Sequence, residues 1–115
     1  MLTGWNFDVD TERDWLYVRL TRVLHENGDD TLLADAVMSL TSQRANHRLV
    51  LEFSDGQILT SLVAGQLVLL HKRIHLKGGA LRLCRLSIFN RDVLRLMGVL
   101  DRFHIYPDRS AAAIA

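Results

Sequence analysis

One proline, one cysteine and seven glycines in 115 residues exclude a collagen-like repeat or a flexible linker as the character of this chain. A lone cysteine, Cys84, has no partner for an internal disulfide, which fits a reducing cytoplasm. Long apolar runs are missing too. Leu67 to Leu70 and Ala111 to Ala115 fall far short of the ~18 residues that a membrane span needs. Met1 to Asp10 is acidic and lacks a basic stretch followed by an apolar one, so no signal peptide is expected.

What is present is an ordinary globular mixture, 49% apolar and 23% charged. This predicts one domain over residues 1–115 that buries roughly two thirds of its unfolded surface. The net charge of +1 hides an asymmetry. Residues 1–55 carry five Arg against ten Asp plus Glu, whereas residues 56–115 carry nine Lys plus Arg against three Asp. The near-zero total argues against a dedicated nucleic-acid binder.

Trp5 to Val9 alternates apolar and polar residues, and Trp15 to Leu20 is rich in aromatic and branched side chains. With the polar stretch Asp10 to Asp14 between them, they predict a strand, a hairpin loop and a second strand. Asn27 to Asp30 reads as a turn in which Asp29 or Asp30 caps the next helix. Thr31 to Arg44 has helical spacing, with Leu33, Val37, Leu40 and Arg44 on one side. His47 to Ser54 opens polar and then runs apolar, as a mostly buried strand does, and Asp55-Gly56 supplies a turn.

Leu62 to Leu76 returns to a period of about 3.6, with Val63, Leu67, Leu70 and Ile74 in the stripe expected to face the sheet. Lys77-Gly78-Gly79 stops that helix. Ala80 to Leu86 is the next strand, followed by a short helix from Arg91 to Met97, capped by Ser87 or Asn90. Phe103 to Tyr106 forms a last strand and the alanine-rich tail a last helix. Strands separated by helices imply parallel neighbours with right-handed crossovers, and the opening hairpin adds one antiparallel edge. The fold class is α/β.

Most chemical readings of single residues fail. His71 and His75 have metal-ligand spacing, but Lys72 occupies the position where a metalloprotease needs Glu, and they read as a solvated helix flank. Cys84 lies mid-strand and reads as a buried, inert thiol. The glycine pair at Gly78-Gly79 lacks the spacing of a phosphate-binding loop. Seven basic residues between Lys72 and Arg95 fall on separate elements without interleaved Tyr or Trp, unlike a nucleic-acid platform. No base, nucleophile pair or ligand set for an enzyme emerges, and no cofactor is implied.

The remaining candidate is Leu59-Thr60-Ser61-Leu62, at the start of the second helix. Thr60 or Ser61 fits a helix cap, and a hydroxyl there is also a natural phosphoacceptor, because free amides and the helix dipole tolerate phosphate. Leu62, Leu69 and Leu76 on one flank beside Gly65, with Ala64 and Val68 on the other, exceed what one helix needs for packing on a sheet. They read either as contacts with neighbouring helices or as a ridge for a partner.

The order of elements, with Leu49 to Ser54, Ile58 to Gly65 and Leu69 to Arg73, resembles the STAS domain of bacterial anti-sigma factor antagonists. Gly78 to Ser87 and Val93 to Phe103 are similar to that family as well, so the likeness runs from about Trp5 to Ala115. It implies a STAS-like fold, with a mixed, mostly parallel sheet of about five strands and about four helices. It implies a cytoplasmic binding module, not an enzyme. Family members dock on an anti-sigma factor with an ATP-binding kinase fold, releasing a sigma factor for transcription. That kinase phosphorylates a Ser or Thr at the start of this helix and so blocks docking; a phosphatase restores it.

On that resemblance Ser61 matches the acceptor, with Thr60 as second choice. The partner surface would comprise Gln57, Thr60, Ser61, Leu62, Val63, Ala64, Gly65 and Leu69, with Glu26, Asn27, Gly28 and Asp29 from the earlier loop. Two departures stand out. Thr60 replaces the usual Asp before the acceptor, and Val63 replaces the usual Gly two residues after it, where it would crowd a partner. The alternative expectation is therefore a non-phosphorylated STAS-like scaffold that assembles with itself or with a larger signalling complex.

Overall fold

A computed structural model describes residues 5–22, 33–54 and 58–114, with the side chains of Trp5, Asn6 and Arg22 outside the description. Five strands form one sheet in sequential order: β1 (Trp5–Glu12), β2 (Trp15–Arg22), β3 (Arg48–Phe53), β4 (Ala80–Cys84) and β5 (His104–Tyr106). β1 and β2 pair antiparallel, while β2, β3, β4 and β5 run parallel. Four helices connect and follow them: α1 (Leu33–Gln43), α2 (Ser61–Leu76), α3 (Ile88–Leu96) and α4 (Arg109–Ile114). The expected α/β class and mostly parallel sheet are both present.

The hairpin is tighter than its sequence suggests. Glu12 pairs with Trp15, so only Arg13 and Asp14 turn the chain, both at positive φ (51° and 70°). Such a two-residue turn matches the right-handed twist of the strands. Asp10, Thr11 and Glu12, read as loop for their polarity, instead extend an edge strand whose outer face meets water.

Strand alternation divides the interior into two layers. Leu16, Val18, Leu20, Leu49, Leu51, Phe53 and Leu83 face one side, where α1, α2 and α3 supply Val37, Leu67 and Leu94 among others. Trp15, Tyr17, Val50 and Cys84 face the other, under Ala112 of α4. The expected α2 stripe of Val63, Leu67, Leu70 and Ile74 is buried throughout. Each such side chain contributes about 1.5–3 kcal/mol relative to an exposed one, enough to fix the rotation of α2 on the sheet.

Glu52 is a buried carboxylate on the α4 side, held by Arg109 at 2.9 Å and flanked by Arg85 at 3.8 Å. Arg109 also lies over the Tyr17 ring at 4.8 Å and pairs with Asp10 of β1 at 3.3 Å, so one guanidinium ties α4 to three strands. The helix stop after α2 is as expected, with Gly78 at φ 75°. Gly79 has a different constraint: a Cβ there would sit 2.0 Å from the His47 carbonyl oxygen, where only glycine lets the chains pass.

Two boundaries differ from expectation. β4 ends at Cys84 because Arg85 turns into the left-handed region at φ 58°. α3 begins three residues early, at Ile88, because Ser87 is its cap, accepting the Asn90 amide at 3.0 Å. Asn90 is not a cap. Its side chain is buried and serves another segment.

Candidate functional site at the start of helix α2

β3 delivers the chain from the middle of the sheet, and Leu59 anchors it again by burying its side chain. The Leu59 amide donates to Asn90 Oδ1 at 3.0 Å, which fixes the backbone one residue before Thr60. Thr60 is extended (φ −88°, ψ 167°), and its Oγ1 accepts the Val63 amide at 3.2 Å while its carbonyl accepts the Ala64 amide at 2.9 Å. This is the geometry of an N-cap, and it settles which of the two hydroxyls caps the helix. Ser61 is the first residue of α2 and is exposed.

The first turn of α2 splits by face. Leu62, 59% exposed, and Gly65 point outward with Ser61, whereas Val63 and Ala64 are buried in the core. Val63 and Ala64 are therefore removed from the expected contact surface, and Val63 cannot crowd a partner, because it packs inward. Leu69 is half-buried against the core, and Leu76 is exposed at the far end. Glu26, Asn27, Gly28, Asp29 and Gln57 lie outside the described residues, as does the expected cap at Asp29 or Asp30. One free amide at the start of α1 has a partner that sequence did not suggest. Gln66 Oε1, from α2, accepts the Ala34 amide at 2.9 Å and ties the two helices together.

Sequence reasoning also missed what Asn90 brings with it. Its bond to Leu59 joins the first turn of α3, with Ile88 and Phe89 largely exposed, to the segment bearing exposed Ile58. Large apolar side chains in the open are the signal that marks a contact surface, and here they flank the Ser61 turn. Only the order of residues around the turn, not their periodicity, hints at it.

Elsewhere the chemistry is muted. Burial, then the nearby Glu52 carboxylate, pushes the Cys84 thiol from 9.0 up to about 12, so it is the inert thiol expected. His75 is exposed as expected, but His71 is half-buried with its ring edge-on to Phe103 at 5.7 Å. Among the described residues no group of three or more His, Cys, Asp and Glu side chains is placed to hold a metal. Nor is any described helix long and apolar enough to cross a membrane.

The profile of the STAS domain matches residues 18–112. The chain belongs to the STAS domain family. A search of curated proteins found no match. Among solved structures, the protein TM1081 is similar over 93% of this chain and 85% of its own, with 26% identity and a TM-score of 0.74. A form of RsbS from Moorella thermoacetica carrying a Ser-to-Glu substitution aligns over 92% of this chain and 90% of its own, at 15% identity and a TM-score of 0.75. A chain from the stressosome, described as a signal integration and transduction hub, aligns over 91% of both chains at 16% identity and a TM-score of 0.71. The last two establish a common fold. In this STAS domain the Ser61 turn lies at the beginning of the helix that follows the central strand β3.

Proposed function

We propose that the protein is a bacterial signalling module of the anti-sigma factor antagonist kind, cytoplasmic and without catalytic activity of its own. It docks through the start of α2 on an anti-sigma factor with an ATP-binding kinase fold. Phosphate on Ser61 then breaks the contact, and a phosphatase restores it. The observation that carries this reading is the division of labour between adjacent hydroxyls. Thr60 carries the cap, while Ser61, one residue on, stands exposed beside Leu62.

Membership of the STAS family supports a binding role, and the likeness to RsbS and to a stressosome chain supports a signalling one. Phosphorylation would place about −1.5 to −2 charges on a rim of Ile58, Leu62 and Gly65 that carries no charge. A docked partner would have to desolvate that charge. The first turn of α2 contains no acidic residue, so no side-chain charge there offsets the positive end of the helix dipole where the phosphate would sit.

Direct binding measurements with the kinase-fold partner test this. Ser61→Asp should bind roughly a hundredfold more weakly than wild type, about 3 kcal/mol, while Ser61→Ala binds as wild type does. The absence of an Asp before the acceptor favours a second reading, a scaffold that assembles with itself or a larger complex without phosphorylation. A Ser61→Asp protein that keeps full affinity decides for the scaffold.

A further inference from the structure

The α4 face of the sheet, opposite α2, holds a recess beside the β1–β2 turn that the docking reading does not use. Glu12 pairs directly with Trp15, so it lies on the face that carries Trp15 and Tyr17 beneath α4. Arg13 follows it in the turn. Ser110, Ala113 and Ile114 stand at i, i+3 and i+4, on one flank of α4. Together with Tyr17 and Arg109 these residues line a cavity of about 200 Å³.

Tyr17 is fully buried, and its hydroxyl has no hydrogen-bond partner among the described residues. Native interiors pair nearly all such groups, because an orphaned one bears its full desolvation cost. Burial, and then Glu12, hold this phenol above its ordinary range, while Arg109 and Arg13 act the other way. All three charges belong to the cavity wall, which puts the hydroxyl end of the ring at the cavity. Arg109 is already engaged, with Glu52 at 2.9 Å and Asp10 at 3.3 Å. Glu12 and Arg13 are exposed and, among the described residues, take part in no ion pair. The wall therefore offers one unspent negative charge, one unspent positive charge and an orphaned hydroxyl. A lone anion would meet the Glu12 carboxylate, a lone cation the Arg13 guanidinium, and an uncharged apolar molecule would leave all three groups unanswered.

We propose that this cavity binds a small aliphatic α-amino acid as its zwitterion, with Arg13 and the Tyr17 hydroxyl donating to the carboxylate and Glu12 accepting from the ammonium. Guanidinium and carboxylate match in geometry, and each contact is a charge-assisted hydrogen bond. The aliphatic side chain rests on Ala113 and Ile114. Sites for drug-sized ligands run to about 300–1,000 Å³, so this smaller recess suits a molecule of amino-acid size. It lies on the opposite face of the sheet from α2 and stands whether or not the Ser61 turn is phosphorylated.

Calorimetric titration of the whole chain with L-valine tests the site, with the Tyr17 ring proton signals followed by NMR. Saturable binding that shifts those signals is the expected result. Isovalerate, which is valine without its amino group, and isobutylamine, which is valine without its carboxylate, should each bind at least roughly tenfold more weakly. Glu12→Gln and Arg13→Gln alter exposed side chains, should leave the thermal midpoint unchanged, and should each lose roughly tenfold or more in affinity for valine. Tyr17→Phe separates a ligand-binding hydroxyl from a structural one. It should raise the thermal midpoint of the free chain, by removing an unpaired buried group, and lose most of the further rise that valine gives to wild type. No saturation by valine, a half-molecule that binds as tightly as valine, affinity that survives in Glu12→Gln and Arg13→Gln, or a Tyr17→Phe chain that keeps the full valine response would each overturn it.

Discussion

The Asn90 side chain holds the Leu59 amide at 3.0 Å across a gap of 31 residues, and both residues are buried. The start of α2 is therefore positioned from α3 as well as by its own cap. Asn90→Ala strands a buried N–H and should destabilise the fold by about 1–3 kcal/mol, read as a lower urea midpoint. Asn90→Asp, which keeps an acceptor, should recover part of that loss. Amide exchange at Leu59 should accelerate in the alanine variant, and an unchanged rate would remove Asn90 from this role.

Thr60→Ala deletes the hydroxyl that accepts the Val63 amide and should cost about 1 kcal/mol, whereas Thr60→Ser should retain most of it. Ser61→Ala should leave the urea midpoint within about 0.5 kcal/mol of wild type, as expected for an exposed first-turn residue outside the cap. Equal losses in the two alanine variants would contradict the assignment of the cap to Thr60.

Two glycines should respond oppositely to alanine. At Gly79 the added methyl meets the His47 carbonyl at 2.0 Å, and the backbone must shift at a cost of about 1–3 kcal/mol. At Gly65 nothing lies within 4 Å, and the position is inside α2, so alanine should stabilise by about 0.5–1 kcal/mol. Chemical denaturation of both variants checks the signs.

The fold was legible because its strongest signals are local. The α2 stripe, the Gly78 stop and the polar-then-apolar run of β3 each follow from spacing, from composition or from a single backbone requirement, and the structure keeps them all. What sequence could not show depends on residues that meet only after folding. Asn90 looks like a cap because it stands beside Ser87, and only the approach of Leu59 gives its side chain another use. Glu52 sits in an apolar run as an unexplained charge until α4 arrives with Arg109. The candidate site was legible as a helix start carrying two hydroxyls, and spacing put Val63 in the sheet-facing stripe, but it could not say which of the flanking Leu62 and Ala64 turns outward.

Cys84 offers a check by pH. Its folded thiol keeps a proton up to about pH 12, against 9.0 when unfolded, so the folded state binds that proton more tightly. The associated stability is intact below the unfolded value and is lost as pH rises through the window between the two. A disulfide reagent at about pH 8 should leave folded protein unmodified and label it promptly in urea. Wild type should also lose more of its urea midpoint than Cys84→Ala as the solution becomes strongly alkaline.

The most direct measurement is intact mass after incubation with the kinase-fold partner and ATP. The account predicts one added phosphate on wild type, retained in Thr60→Ala and abolished in Ser61→Ala. A phosphate that persists in Ser61→Ala, or a wild-type chain that binds the partner yet is never modified, would contradict it.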